Sequence, residues 1–257
     1  ANNPAWFKEV KLGEGYFSVV YETMDKEKGV PIEIYGVVDE ERKISLNTAD
    51  VATLGRLFEK VASVDKDAAE AIAYCIVDWR DSDSTFQHPS HGAEDGDYKD
   101  LTDPYEAKDL PFEVIDELSL VQGIDRDIFA KIAPFVTVYG SGAVNVNTAP
   151  SEVLEALMPG LGDKVLTYRR GIDQEERTAD DQYFSAASAI APALKGVANL
   201  SGVEEATLES LVSTEKFTVF SNFFTVKSRA VLPKGDQLEM EAVLDRVGKI
   251  HYSRVSK

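Results

Sequence analysis

VNVNTAPSEVLEALMPGLGDKV, residues 144–165, begins as a strand and ends as a helical hairpin. Val144 and Val146 alternate with Asn145 and Asn147, the period of a half-buried strand. Thr148, Ala149 and Pro150 break that period, and Val153, Leu154 and Leu157 follow at helical spacing. One hundred residues upstream, ISLNTADVATLGRLF (residues 44–58) repeats the exit at Asn47, Thr48 and Ala49. In both copies the Thr hydroxyl is suited to cap a helix by accepting an N–H of its first turn. Pro150 then falls in the first turn, where its missing N–H costs little. Asp50 puts a negative charge at the positive end of the other helix. Asn47 and Asn147 precede the cap, and Asn side chains bond readily to turn backbone. Together with Asn145 they read as structural residues.

Outward from these exits the period changes twice. EGYFSVVYETM and IEIYGVVDEERKISL, before Asn47, are rich in β-branched and aromatic residues and read as strands around a KEKGVP turn. From residue 47 to about residue 212 the spacing is helical, in DVATLGRLFEKVA, DKDAAEAIAYCIVDW, PFEVIDELSLV, DRDIFAKIAPFV, SEVLEALM, SAASAIAPAL and EATLESLV. FTVFSNFFTVKSRAVL, DQLEMEAVLDRV and KIHYSRV return to strands, joined by PKGD and GK turns. Each flank is too short for a core of its own. The expectation is an α+β fold: one antiparallel sheet from residues 1–46 and 213–257, and a helical domain, 47–212, inserted in it.

The helical stretch carries hairpin-like turns. Val153 to Gly162 has the helix-hairpin-helix pattern around Gly160, with weaker copies at Leu118 to Ile124 (turning at Gly123) and Leu200 to Val203. A Gly there allows the tight turn after the first helix. In many families such a turn holds a DNA phosphate through backbone amides. Carboxylates crowd these turns, and a net charge of −18 opposes a polyanion. Lys164, Arg169 and Arg170 are the one local basic patch. Packing is therefore the favoured role and nucleic-acid binding the competing one.

Residues 78–109 hold ten carboxylates against three Lys or Arg. Asp78, Asp81, Asp83, Glu94, Asp95 and Asp97 are candidate oxygen ligands for calcium, which takes six to eight. An EF-hand starting at Asp81 fails, because its sixth position is Phe86 and its twelfth is Gly92. Any calcium site is therefore irregular, and calcium is the only cofactor that the sequence suggests. His88 and His91 have zinc-like spacing, but no Cys lies near them. No catalytic constellation stands out. Gly140-Ser141-Gly142 is not followed directly by a helix, and Gly13-Glu14-Gly15 precedes a strand. The single cysteine, Cys75, has apolar neighbours and reads as a buried thiol. No apolar run approaches a membrane span.

Five stretches, in order, resemble the minor pseudopilin K family of type II secretion systems. They are DEERKISLN (residues 39–47), IVDWRDSD with HGAEDGDY (76–98), PFEVIDELSLVQGI (111–124), VNVNTAPSEVLEAL (144–157) and FSNFFTV (220–226). Arg42 and Ser45 depart from the family's Gly and Asn. The resemblance implies a pilin-like sheet with a large helical insertion. It implies a non-catalytic structural component of the pseudopilus tip, supporting protein export across the outer membrane. Minor pseudopilins I and J are the implied partners, with the secretin and secreted substrates beyond them. It implies the periplasmic part of a protein held in the inner membrane by an N-terminal apolar helix ahead of residue 1. A pilin sheet packs one face on that helix, so the sheet's apolar side chains are expected to be partly uncovered. A helix-hairpin-helix protein of the DNA-uptake type shares the Asn-x-Asn-Thr-Ala motif and is the alternative.

Overall fold

The computed structural model describes residues 2–25, 29–232, 235 and 237–256. The chain begins with helix α1 (Pro4–Phe7) and strands β1 (Val10–Leu12), β2 (Gly15–Asp25), β3 (Val30–Tyr35) and β4 (Val38–Asp39). Next come β5 (Ile44–Ser45), α2 (Val51–Ala62), α3 (Lys66–Arg80), α4 (Asp95–Lys99), α5 (Arg126–Ile132), β6 (Val136–Thr137) and β7 (Val144–Asn145). Helices α6 (Ser151–Leu157), α7 (Gly162–Arg169), α8 (Ile190–Val197) and α9 (Gly202–Ser213) follow, then β8 (Phe217–Thr218). Strands β9 (Phe223–Val231), β10 (Gln237–Asp245) and β11 (Ile250–Ser256) close the chain.

Contacts divide these elements into two compact units, Ala1–Glu40 with Ser221–Lys257, and Glu41–Phe220. In the first, the strands run in the order β1-β2-β9-β10-β11, with β3 on β2 and β4 on β9. The two chain ends meet where β2 pairs antiparallel with β9, from Tyr16 opposite Val231 to Val19 opposite Ser228. Its cover is thin. Val19, Val20, Ala242 and Val243 are its buried apolar residues, whereas Phe17, Phe223, Phe224 and Val226 are only half-buried. Gly248 turns the hairpin from β10 to β11, its N–H donating to Asp245 O at 3.0 Å. Lys26, Glu27 and Lys28 of the first expected turn, and Pro233, Lys234 and Asp236 of the other, lie outside the described residues.

The second unit is built on one continuous apolar core. Asp50 caps α2 through Thr53 N at 2.7 Å, and Leu54, Leu57 and Phe58 place one stripe of that helix in the core. Asp65 caps α3 through Ala68 N at 3.0 Å, and Ile72, Ile76 and Trp79 form its stripe. Leu118, Ile132, Leu154, Met158, Leu161 and Ile190 complete the centre.

The borders expected at residues 46/47 and 212/213 therefore fall inside the second unit. Ile44 and Ser45 leave the large sheet and pair in parallel with Val136 and Thr137. Phe217 and Thr218 pair in parallel with Val144 and Asn145. Alternation shows that a segment is extended but not which strand it joins. PFEVIDELSLV forms only a short 3-10 helix, Ile115–Leu120. Thr48 and Thr148 are not caps. The backbones of Ala49 and Ala149 first turn back onto Ser45 O (3.1 Å) and Asn145 O (2.9 Å). The helices then start two residues later, with Asp50 and Pro150 at the cap positions.

Candidate functional site

Each Asn-Thr-Ala exit is locked from two sides. Asn47 Nδ2 donates to Phe112 O at 3.0 Å, and Asn47 Oδ1 accepts from Phe112 N at 2.8 Å. Asn147 does the same with Phe184, at 3.0 Å and 2.8 Å. The amide thus imitates a strand neighbour and satisfies a buried backbone segment far along the chain. An arginine braces the same turns. Arg80 donates to Leu46 O and, at 2.6 Å, to Ala49 O. Arg169 donates to Val146 O at 3.5 Å and Ala149 O at 2.6 Å. Burial lowers the Arg169 pKa to about 10, so the guanidinium stays charged at neutral pH. Asn145, itself buried, accepts the N–H of Asn147 at 3.0 Å.

The hairpin between α6 and α7 is filled from within. Gly160, at φ +78°, donates its N–H to Glu155 Oε2 at 2.9 Å, and a Cβ on Gly162 would meet Glu155 Oε1 at 2.5 Å. The chain's own carboxylate thus lies over the amides that cradle a phosphate in nucleic-acid-binding hairpins. The basic patch is spent as well. Lys164 pairs with Glu204 at 2.7 Å, Arg169 holds carbonyls, and Arg170 meets Glu176 at 3.3 Å. Gly123 stands in the turn ahead of α5, against Ile72.

The acidic segment contains the least satisfied chemistry of this unit. Asp78 sits on α3, fully buried, and accepts from Gln87 N at 3.1 Å and Ala93 N at 3.2 Å. Gly92 allows that approach, since a Cβ there would lie 2.1 Å from Asp78 Oδ2. Glu94 is only 4 % exposed, and neither of its oxygens has a hydrogen-bond partner. Asp81 Oδ1 and Asp109 Oδ1 are likewise buried without partners. Burial, then the charges of Asp78, Asp81, Asp109 and Asp83, raises the Glu94 pKa to about 7. Burial, partly offset by the Gln87 N–H, raises Asp78 to about 6. Burial first, then Asp95 and Asp81, raises Asp109.

Of the six candidate ligands, Asp78, Asp81, Asp83 and Glu94 therefore share one field, and Asp109 joins them. Asp95 and Asp97 have their oxygens engaged elsewhere: Asp95 accepts from Lys99 and from Ala107 N, both at 2.9 Å, and Asp97 caps its own helix through Glu94 N at 3.0 Å. Among the described residues, no three His, Cys, Asp or Glu side chains are arranged to hold a metal ion as the chain stands. The donor set is nonetheless all carboxylate, and its orphaned buried oxygens are the kind that a hard cation satisfies. His88 and His91 stack on each other at 4.8 Å and on Tyr74. Burial pushes the Cys75 thiol up to about 12, away from the nucleophilic thiolate form. No helix among the described residues is long and apolar enough to cross a membrane.

Residues 33–141 match the family described as type II secretion system (T2SS), protein K. A type II secretion system protein K of Pectobacterium carotovorum subsp. carotovorum is 34 % identical over 111 residues, 43 % of this chain and 33 % of that protein. One from Aeromonas hydrophila is 33 % identical over 124 residues, 48 % of this chain and 36 % of that protein. The matched stretch thus spans about a third of these relatives' length. The fold is similar to a chain in the crystal structure of the GspK–GspI–GspJ complex from the enterotoxigenic Escherichia coli type 2 secretion system. That likeness has a TM-score of 0.71 at 21 % identity, over 98 % of this chain and 83 % of the other. The sequence likeness to type II secretion system protein K thus covers residues 33–141.

Proposed function

We propose that this chain is a minor pseudopilin, a non-catalytic part of the type II secretion pseudopilus tip. In this reading it sits in the periplasm, tethered to the inner membrane by an apolar helix ahead of residue 1. It binds two smaller pilin-like subunits, minor pseudopilins I and J. One observation carries the reading: almost the whole chain shares its fold with a chain of the solved GspK–GspI–GspJ complex. The thin cover of the sheet supports it. Leu12, Tyr16, Ile250 and Val255 are exposed there, and a partner covering several hundred Å² of such surface gains about 25 cal/mol per Å² before association costs. The DNA-uptake alternative has no support, because Glu155 fills the hairpin turn and the basic patch is paired. The test mixes the domain with soluble minor pseudopilins I and J from the same source. Co-elution at tens of micromolar is expected; separate elution of three folded proteins overturns the reading.

The buried carboxylates favour an added role for calcium. We propose that Glu94, Asp81, Asp109 and Asp78 hold it, with Asp83 adding charge at the rim. A bound cation would neutralise a cluster that otherwise repels itself, and so would stabilise the loop that carries it. Thermal unfolding with calcium and with chelator tests this, a higher midpoint in calcium being the expected result. Equal midpoints would remove calcium from the account.

A further inference from the structure

We infer that strand β11 is an open edge that takes up an added strand from a partner protein, an extended segment carrying carboxylates. The edge belongs to the sheet unit and does not depend on the tip reading. Among the described residues, β11 pairs on one side only, antiparallel with β10, from Leu244 opposite Ile250 to Glu239 opposite Ser256. A strand paired on one side turns alternate N–H and C=O groups outward, where they can take another strand. This edge is uncovered: of residues 250–256, all but Tyr252 are exposed. The opposite edge of the sheet, β1, has three residues, against seven in β11.

Charge selects the occupant. The chain carries −18, yet residues 246–256 hold Arg246, Lys249 and Arg254 and no carboxylate. The carboxylates of β10 are already engaged. Glu241 serves two cations, Arg254 at 3.3 Å and Lys227 at 3.8 Å. Asp245 accepts from Val247 N and Lys249 N and meets His251 at 2.9 Å. Glu239 meets Arg229 at 2.9 Å. Lys249 is exposed, and Arg254 keeps 62 % of its side chain exposed, so the edge is basic in an acidic protein. Edge charge blocks indiscriminate strand pairing but admits a strand of the opposite sign. A second copy fits poorly, because it brings the same cations to a β11–β11 pairing and the same net charge behind them. The two faces add a pattern. Ile250 and Val255, more than half exposed, stand opposite Leu244 and Met240 on one face, and Arg254 stands opposite Glu241 on the other. The fitting strand therefore alternates, with apolar side chains beside Ile250 and Val255 and a carboxylate beside Arg254. Its main chain supplies affinity and its side chains supply selection.

The test is residue-resolved amide exchange on the whole chain with two synthetic peptides of about nine residues, valine alternating with glutamate or with lysine. At saturation the glutamate peptide should slow exchange of alternate β11 amides about tenfold. Its binding should weaken about fivefold between about 0.05 M and about 0.3 M salt. The lysine peptide should do neither. Changing Lys249→Glu and Arg254→Glu together should reverse the preference; if that variant fails to fold, the two peptides on the unaltered chain decide. Equal protection by both peptides, protection away from β11, no protection, or a folded variant that still prefers glutamate overturns the inference. So does slow β11 exchange without peptide in a chain that sediments as a dimer, which would give the edge to a second copy.

Discussion

Two loops, one from Arg80 to Phe112 and one from Arg169 to Phe184, treat their carboxylates in opposite ways. In the loop after Arg169, Asp180 accepts from Ile172 N at 2.6 Å, Asp173 N at 3.2 Å and the Thr178 hydroxyl at 2.8 Å. The Thr178 hydroxyl and these amides hold its pKa down at about 2. In the loop after Arg80, Glu94, Asp81 and Asp109 keep buried oxygens without partners, and the Glu94 and Asp109 pKa values go up. The second loop closes on hydrogen bonds within the chain; the first closes around unrelieved charge. What separates them is where backbone N–H groups point, since both loops are acidic. The buried carboxylate oxygens on which the calcium proposal rests lie in the first.

Four experiments break or sharpen that contrast. The largest effect belongs to the helices behind the two loops. Leu54 and Leu154, one hundred residues apart, are both fully buried, and changing either to Ala should cost about 2–5 kcal/mol. Chemical denaturation measures both, and a difference above about 2 kcal/mol would argue against equal packing. Calcium should then separate the loops. At a hundredfold excess over its dissociation constant it should stabilise the protein by about 2.7 kcal/mol. Glu94→Gln should abolish that gain while raising stability in chelator, because it removes a buried charge; Asp180→Asn should leave the calcium gain intact.

The two loops should also answer pH with opposite signs. Glu94 and Asp78 titrate in the folded, cation-free chain near 7 and 6, above the ordinary range for a carboxyl group. Their ionised forms are therefore destabilising, so loop 81–111 should gain protection as pH falls from about 8 to about 5. Asp180, with its pKa lowered, supports loop 170–183 above the ordinary carboxylate range, and that support is lost as pH falls through about 2. Residue-resolved amide exchange in chelator reads both, and slopes of the same sign would sink the contrast. The smallest effect concerns the hairpin turn. Glu155→Ala leaves the Gly160 N–H without its partner and should cost about 1 kcal/mol, again by denaturation.

Much of this was legible in the sequence because period and spacing carry it. The helical stripes of α2 and α3, the strands from both chain ends and the doubled Asn-Thr-Ala exit are all local patterns. What the sequence concealed is long-range pairing. Nothing near Asn47 names Phe112 as its partner, and nothing near Ile44 names Val136. The Thr caps failed because tertiary clamps pulled the exits into a turn before each helix began. In the acidic segment the run of carboxylates singled out Asp78, Asp81 and Glu94 only as part of a larger candidate set. It could not separate them from Asp95 and Asp97, which their own helix and its surroundings satisfy. Asp109 closes that segment, but only the folded return of the chain toward Trp79, where its N–H donates to Trp79 O at 3.1 Å, brings it into the cluster.

The side-chain amides of Asn47 and Asn147 set how freely the loops can change over evolutionary time. Each loop is pinned where it leaves and where it returns, so its contents do not set the register of the core. The entropy of closing a flexible loop grows slowly, about 0.6 kcal/mol for each doubling of length. The first loop, roughly twice as long as the second, therefore carries little extra burden for its length. Insertions between Arg80 and Phe112, or between Arg169 and Phe184, are the changes this architecture tolerates most cheaply. New ligand chemistry can arise there while the helices behind it keep their packing.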